Sequence, residues 1–209
     1  MIVIKDLTVK NFMSVGNVTQ AVRFTDNGLT LVLGNNVDLG GDGSRNGTGK
    51  TTIINALSYA IYGNALTNIR KDNLINKTNG KAMLVTLDFV KDGTQYRIER
   101  GRRPNTLKYY VNEQNVDEDE AQGENRQTQA QIEKLFGMSH DMFKHIVALN
   151  TYTEPFLSMK ANDQRAIIEQ LLGITMLSEK AEVLKEQQRL TRDAIKEEEY
   201  RIKAIEEAN

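Results

Sequence analysis

Cysteine is absent from the 209-residue chain, which excludes disulfides and thiolate metal sites and suits a reducing compartment. Histidine is scarce: His140 and His145 are too few for a histidine-rich metal centre and read as ordinary surface or half-buried residues. No apolar run approaches the roughly eighteen residues of a membrane-spanning helix, and Met1-Ile2-Val3-Ile4-Lys5-Asp6 lacks the apolar core of a secretory signal. A soluble, cytoplasmic protein with no membrane partner is therefore expected. An excess of one charge is lacking too, because 27 Lys and Arg against 28 Asp and Glu leave a net −1. Any DNA contact must then come from a local patch rather than from bulk charge.

What is present is organised around Asn46-Gly47-Thr48-Gly49-Lys50-Thr51-Thr52. It follows the apolar run Leu29-Thr30-Leu31-Val32-Leu33-Gly34 and precedes Ile53-Ile54-Asn55-Ala56-Leu57. Strand, glycine-rich turn and helix in that order are the context of a phosphate-binding loop. Gly47 and Gly49 let the backbone turn its N–H groups onto phosphate oxygens, and the helix N-terminus adds partial positive charge. Lys50 would reach the β- and γ-phosphates and the Thr51 hydroxyl would ligate Mg²⁺, giving an ATP site with Lys50 and Thr51 as its catalytic groups. The first glycine of the G-x-x-x-x-G-K-[ST] pattern is missing, since position 44 is Ser44. The strand-ending glycine is Gly34, which makes the entry loop roughly ten residues longer than a compact one. Asp38 and Asp42 in that loop fit no calcium-binding ladder. The alternative for the whole stretch is a Gly/Asn surface loop before an ordinary helix.

Along the chain, Ile2 to Lys10 alternates as a strand, a second strand is expected around Thr19 to Phe24, and a third over Leu29 to Leu33 after an Asp26-Asn27-Gly28 hairpin. A helix is expected from about Lys50 to Tyr62, stopped by Gly63. Ala82 to Val90 and Gln95 to Arg100 flank Lys91-Asp92-Gly93-Thr94, the clearest hairpin signal, and Thr106 to Asn112 should pair beside it. Asp117 to Glu120 reads as a solvated acidic loop. Thr128 onward turns helical to Gly137, Asp141 to Leu149 continues as a short helix or strand, and Asp163 opens a helix that closes at Gly173. This is a mixed α/β pattern.

Leu177 to Asn209 contains neither Gly nor Pro and is rich in Glu, Lys, Arg and Gln. Leu177, Ala181, Leu184, Gln188, Thr191, Ile195, Ile202 and Ile205 approximate a heptad seam, which implies a coiled coil; a terminal amphipathic helix packed on its own domain is the alternative. Arg97, Arg100, Arg102, Arg103 and Lys108 form a local basic cluster that would meet phosphates of double-stranded DNA, or else a strand edge guarded by charge.

Leu7-Thr8-Val9-Lys10-Asn11-Phe12, the phosphate loop with its helix, and Leu171-Leu172-Gly173-Ile174 before a charged coiled coil occur in that order. This combination resembles the SbcC/Rad-fifty family, SMC-like ABC ATPases of DNA double-strand-break processing that include phage members. The resemblance implies a P-loop NTPase of ABC/SMC head type, with residues 1–175 as its N-terminal lobe and 176–209 as the start of a coiled coil. Asn46, Gly47, Thr48, Gly49, Lys50, Thr51 and Thr52 would hold the nucleotide. Asn150 would stand at the family's Q-loop glutamine, one methylene shorter, beside the nucleotide and Mg²⁺. Met13 stands where the family often has an arginine. The implied partners are the C-terminal half of the same ATPase, a second head in an ATP-driven dimer, and an Mre-eleven/SbcD-type nuclease subunit at the coiled-coil base. The family's Walker B, signature and switch motifs are not found in these residues, so hydrolysis by this chain alone is not expected. A non-hydrolysing interaction module, an SMC/RecF-like DNA-binding ATPase and a transporter ATPase are the competing readings.

Overall fold

The computed structural model describes residues 1–25, 28–36, 47–116, 124–149 and 154–208. They fall into two compact units, Met1–Thr153 and Glu154–Asn209.

The first unit is an antiparallel sheet of six strands in the order β2-β1-β3-β4-β5-β6. The strands are β1 (Ile2–Lys10), β2 (Gln20–Arg23), β3 (Met83–Lys91), β4 (Thr94–Arg102), β5 (Thr106–Val111) and β6 (Gln114–Asn115). Period-2 alternation gives the sheet one apolar face, with Leu7, Val9, Val85, Leu87, Phe89 and Ile98 all at 3% exposure or less. Onto it packs α1 (Lys50–Tyr62), whose Ala56, Leu57, Tyr59, Ala60 and Ile61 are buried. Further along the sheet, α2 (Glu124–Phe136) adds buried Ile132, and Phe89 meets Phe136 at 4.9 Å. Helix α3 (His140–Met142) runs into a π-helical turn, Phe143–Val147. The expected hairpin forms because Asp92 and Gly93 both take positive φ, 49° and 84°.

The other face of the sheet is polar and internally paired. One row across the strands runs Arg23, Asp6, Asp88, Arg97, Tyr110, with Arg23 on Asp6 at 3.0 Å and Arg97 on Asp88 at 2.7 Å. The next row sets Glu99 opposite Lys108.

Three expectations need correction. Leu29 to Leu33 forms no strand: no described strand bonds to it, and Leu29 and Leu31 are 100% and 80% exposed. An apolar run pairs only where a neighbour offers both a ladder and a surface to cover it. The helix assigned from Thr128 begins at Glu124, and the one assigned from Asp163 begins at Ala161, with Asp163 inside its first turn, where a carboxylate favours the helix N-terminus. The hairpin residues Asp26 and Asn27, the acidic run 117–120 and most of the entry loop lie outside the described residues.

In the second unit, α4 (Ala161–Leu171) ends at Gly173 with φ 66°, and α5 (Thr175–Ala208) is a single helix of 34 residues. Its surface carries i,i+3 and i,i+4 ion pairs such as Arg189 with Glu186 and Asp193, and Arg201 with Glu197 and Glu198. Leu177, Leu184, Ile195, Ile202 and Ile205 are each more than half exposed. Among the described residues no helix is long and apolar enough to cross a membrane.

Candidate functional site

Gly47 and Gly49 take φ of 76° and 85°, a region that side chains disfavour, so the backbone turns sharply into α1. Gly49 is the N-cap, and no side chain caps the helix there. The leading N–H groups of α1 are thus not answered by a capping side chain, although Thr52 N–H turns back onto Gly49 O at 3.0 Å. Lys50 Nζ donates to Thr48 Oγ1 at 3.4 Å, and Thr51 is exposed at the same helix start. Gly34 lies against this loop: a Cβ built on it would fall 1.9 Å from Thr48 Oγ1, so only glycine fits. The apolar run thereby reaches the loop even though it forms no strand. Asn46 and Asn150 lie outside the described residues.

The loop after β1 braces the site. Ser14 Oγ is 2.8 Å from Thr52 Oγ1, directly beneath the glycine turn. Ser14 is held by its neighbours. Asn11, 1% exposed and at φ 51°, gives its amide N–H groups to Asn17, Lys81 O and Ala82 O and accepts from Asn79 Nδ2 at 2.8 Å. Asn76 Nδ2 donates to Met13 O at 3.0 Å, and Asn55 bridges Thr51 O to Leu66 N–H inside the core. Sequence reasoning missed Ser14, Asn55 and this asparagine network. The sequence signal was the density of Asn near the loop, a residue that tolerates positive φ and bonds backbone groups.

The basic residues do not form one cluster. Alternation along β4 sends Arg97 to the polar face, where Asp88 neutralises it, and Lys108 sits there opposite Glu99. Arg100 and Arg102 point to the helix side. Arg100 donates from Nε to Ala60 O at 3.1 Å and from Nη2 to Ile61 O and Gln129 Oε1, and its guanidinium lies over the Tyr59 ring. Burial pulls its pKa down to about 10, opposed by the charges of Tyr59 and Glu133. Arg102 pairs with Asp72 at 2.7 Å, and Arg103 donates to Gly80 O at 3.4 Å on the surface.

A family model described as AAA domain matches residues 6–209. The chain belongs to this AAA-domain family. Among its relatives, Exonuclease subunit 2 of Enterobacteria phage T4 is 35% identical over 81% of this chain, and that of Escherichia phage RB69 is 32% identical over 86%. A DNA double-strand break repair Rad50 ATPase of Archaeoglobus fulgidus is 33% identical over 48% of the chain. This AAA-domain chain spans only 28% and 30% of the length of the two phage relatives. The Smc head domain of Pyrococcus furiosus, crystallised with an extended coiled coil bound to the C-terminal domain of ScpA, superposes with a TM-score of 0.57. At 21% identity, over 89% of this chain and 46% of that one, the likeness shows the fold alone: a mixed α/β head.

Proposed function

We propose that this chain is the ATP-binding N-terminal lobe of an ATPase head in a DNA double-strand-break repair and recombination nuclease. The reading is carried by one observation: Gly47 and Gly49 at positive φ deliver Lys50 and Thr51 to the N-terminus of α1, which no side chain caps. That donor set fits a triphosphate. Backbone N–H groups and the helix dipole face the anion, Lys50 adds a charge, and the exposed Thr51 hydroxyl, with Asn150 proposed beside it, is of the oxygen type Mg²⁺ takes. When bound, Mg²⁺ would supply charge neutralisation to the phosphates. The chain's own part is positional: Ser14 and Asn55 hold the first turn of α1 still, so the donors need not reorganise around a nucleotide.

In this reading a C-terminal half of the same ATPase brings the groups that complete hydrolysis, and the exposed run Leu29–Leu33 and the stripe of α5 are surfaces that meet it. A second head, a nuclease subunit docked near α5, and double-stranded DNA are the proposed partners, in the cytoplasm of the infected or native cell. The test is Lys50→Ala, followed by binding of a fluorescent ATP analogue. At least a tenfold loss of affinity, about 1.4 kcal/mol, is expected. Unchanged affinity with a folded variant sinks the assignment.

A further inference from the structure

At the far end of α1 from the glycine turn lies an open pocket of about 390 Å³. Lys71, Arg100, Arg102 and Arg126 line it together with Asn105 and Gln129, and among the described residues no carboxylate does. Two of the cations are committed: Arg100 to the helix carbonyls Ala60 O and Ile61 O, and Arg102 to Asp72, which lies outside the lining. Lys71 and Arg126 are exposed and have no ion pair or hydrogen bond among the described residues. The pocket therefore keeps two exposed cations, Lys71 and Arg126, beside two guanidinium groups whose positions are already fixed, one of them ion-paired. The Lys71 pKa is lowered, first by partial burial of its side chain and then by the charges of Arg100 and Arg102.

Solvated surface cations usually spread apart or find carboxylates. Here they converge on a concavity, above an apolar floor that includes Tyr59 and Leu107. The volume lies in the range of small-molecule sites and exceeds what a bare phosphate fills. Arg126 supplies a planar donor fork, Lys71 a point charge, and Asn105 a neutral amide.

We propose that this pocket binds the phosphate group of a nucleotide-sized ester, at a site separate from the Gly47–Thr52 turn and about 20 Å from it along the thirteen residues of α1. The ester is either a free nucleotide monophosphate or one residue of a nucleic-acid strand.

The test titrates the full chain with 5′-AMP, which lacks the β- and γ-phosphates that the glycine turn grips, and follows heat or amide shifts. Lys71→Ala/Arg126→Ala should weaken 5′-AMP binding at least tenfold without altering the thermal midpoint, a loss that Lys50→Ala should not reproduce. Binding that survives the double substitution, that is lost instead in Lys50→Ala, or that is absent from the unmodified chain at millimolar ligand overturns the site. A second arm separates the sources. With a fluorescein-labelled duplex, the double variant lowers the slope of log K against log salt by about 2 if nucleic-acid phosphates occupy the pocket. An unchanged slope together with lost AMP binding assigns the free ester.

Discussion

The two ends of helix α1 are held in opposite ways. At the C-terminal end, every device closes within the chain. Gly63 N–H returns to Tyr59 O, Arg100 and Gln129 take the last carbonyls, Tyr62 OH donates to Met138 O, and Ser58 is fixed between Asn64 O and His140. At the N-terminal end, no side chain caps the helix, and the apolar run that reaches it is exposed. The brace there, Ser14 on Thr52, acts from the side and leaves the axis of the helix open to a ligand. One end is closed by the chain's own groups and the other is left open to the nucleotide, so substitutions at the two ends should separate stability from nucleotide affinity.

The largest effect is expected where the closed end is broken. Arg100→Ala removes a charged donor from two buried carbonyls and from Gln129, together with the guanidinium over Tyr59. Hydrogen bonds to charged groups contribute about 1.5–3 kcal/mol, so urea unfolding should show a loss of about 3 kcal/mol, with Arg100→Lys recovering only part because one ammonium cannot span the fork. A loss under about 1 kcal/mol would mean that Arg100 is a solvated surface cation after all.

A smaller loss is expected from the brace at the open end. Asn11→Ala leaves Asn79 Nδ2, Lys81 O and Ala82 O short of partners and puts alanine at φ 51°. About 2 kcal/mol of stability should go. Nucleotide affinity should fall with it, because Ser14 loses its footing beneath Thr52; Arg100→Ala, in the concentrations where it stays folded, should leave that affinity intact. If both variants lower affinity equally, the functional division between the ends fails.

The same contrast explains what was legible in the sequence. Features written in local backbone chemistry were: the hairpin at Asp92-Gly93, and α1 from Lys50 to Tyr62 between Gly49 and Gly63, follow from positive φ at those glycines. Features that depend on a distant partner were not. Leu29 to Leu33 has a strand's composition, yet composition cannot supply the neighbour a ladder needs. Arg97, Arg100 and Arg102 read as one basic run until alternation sends the first to one face and the other two to the opposite one. Asn11 was recognised within Leu7 to Phe12, but its amide bonds reach residues about seventy positions away.

The smallest effect concerns protons at the closed end. Ser58 Oγ gives its single hydrogen to Asn64 O, so at His140 it must accept, which requires a hydrogen on Nε2, as the Nε2–H tautomer and the imidazolium both provide. Burial lowers the His140 pKa, and the charge of Lys144 lowers it further against the opposing Asp141 and Glu133. The unfolded chain, titrating near 6.5, therefore binds its proton before the folded one does. Stability is flat above that value and falls as pH drops from about 6.5 toward the lower folded value, because the unfolded state then holds more protons. His140→Gln keeps an N–H for Ser58 but cannot titrate. Urea midpoints at pH 7.5 and 5.5 should thus differ more in the parent chain than in the variant, with the difference confined to that window. Equal shifts in the two proteins would show that the carboxylates alone carry the acid sensitivity and that burial of His140 does not disfavour its charged form.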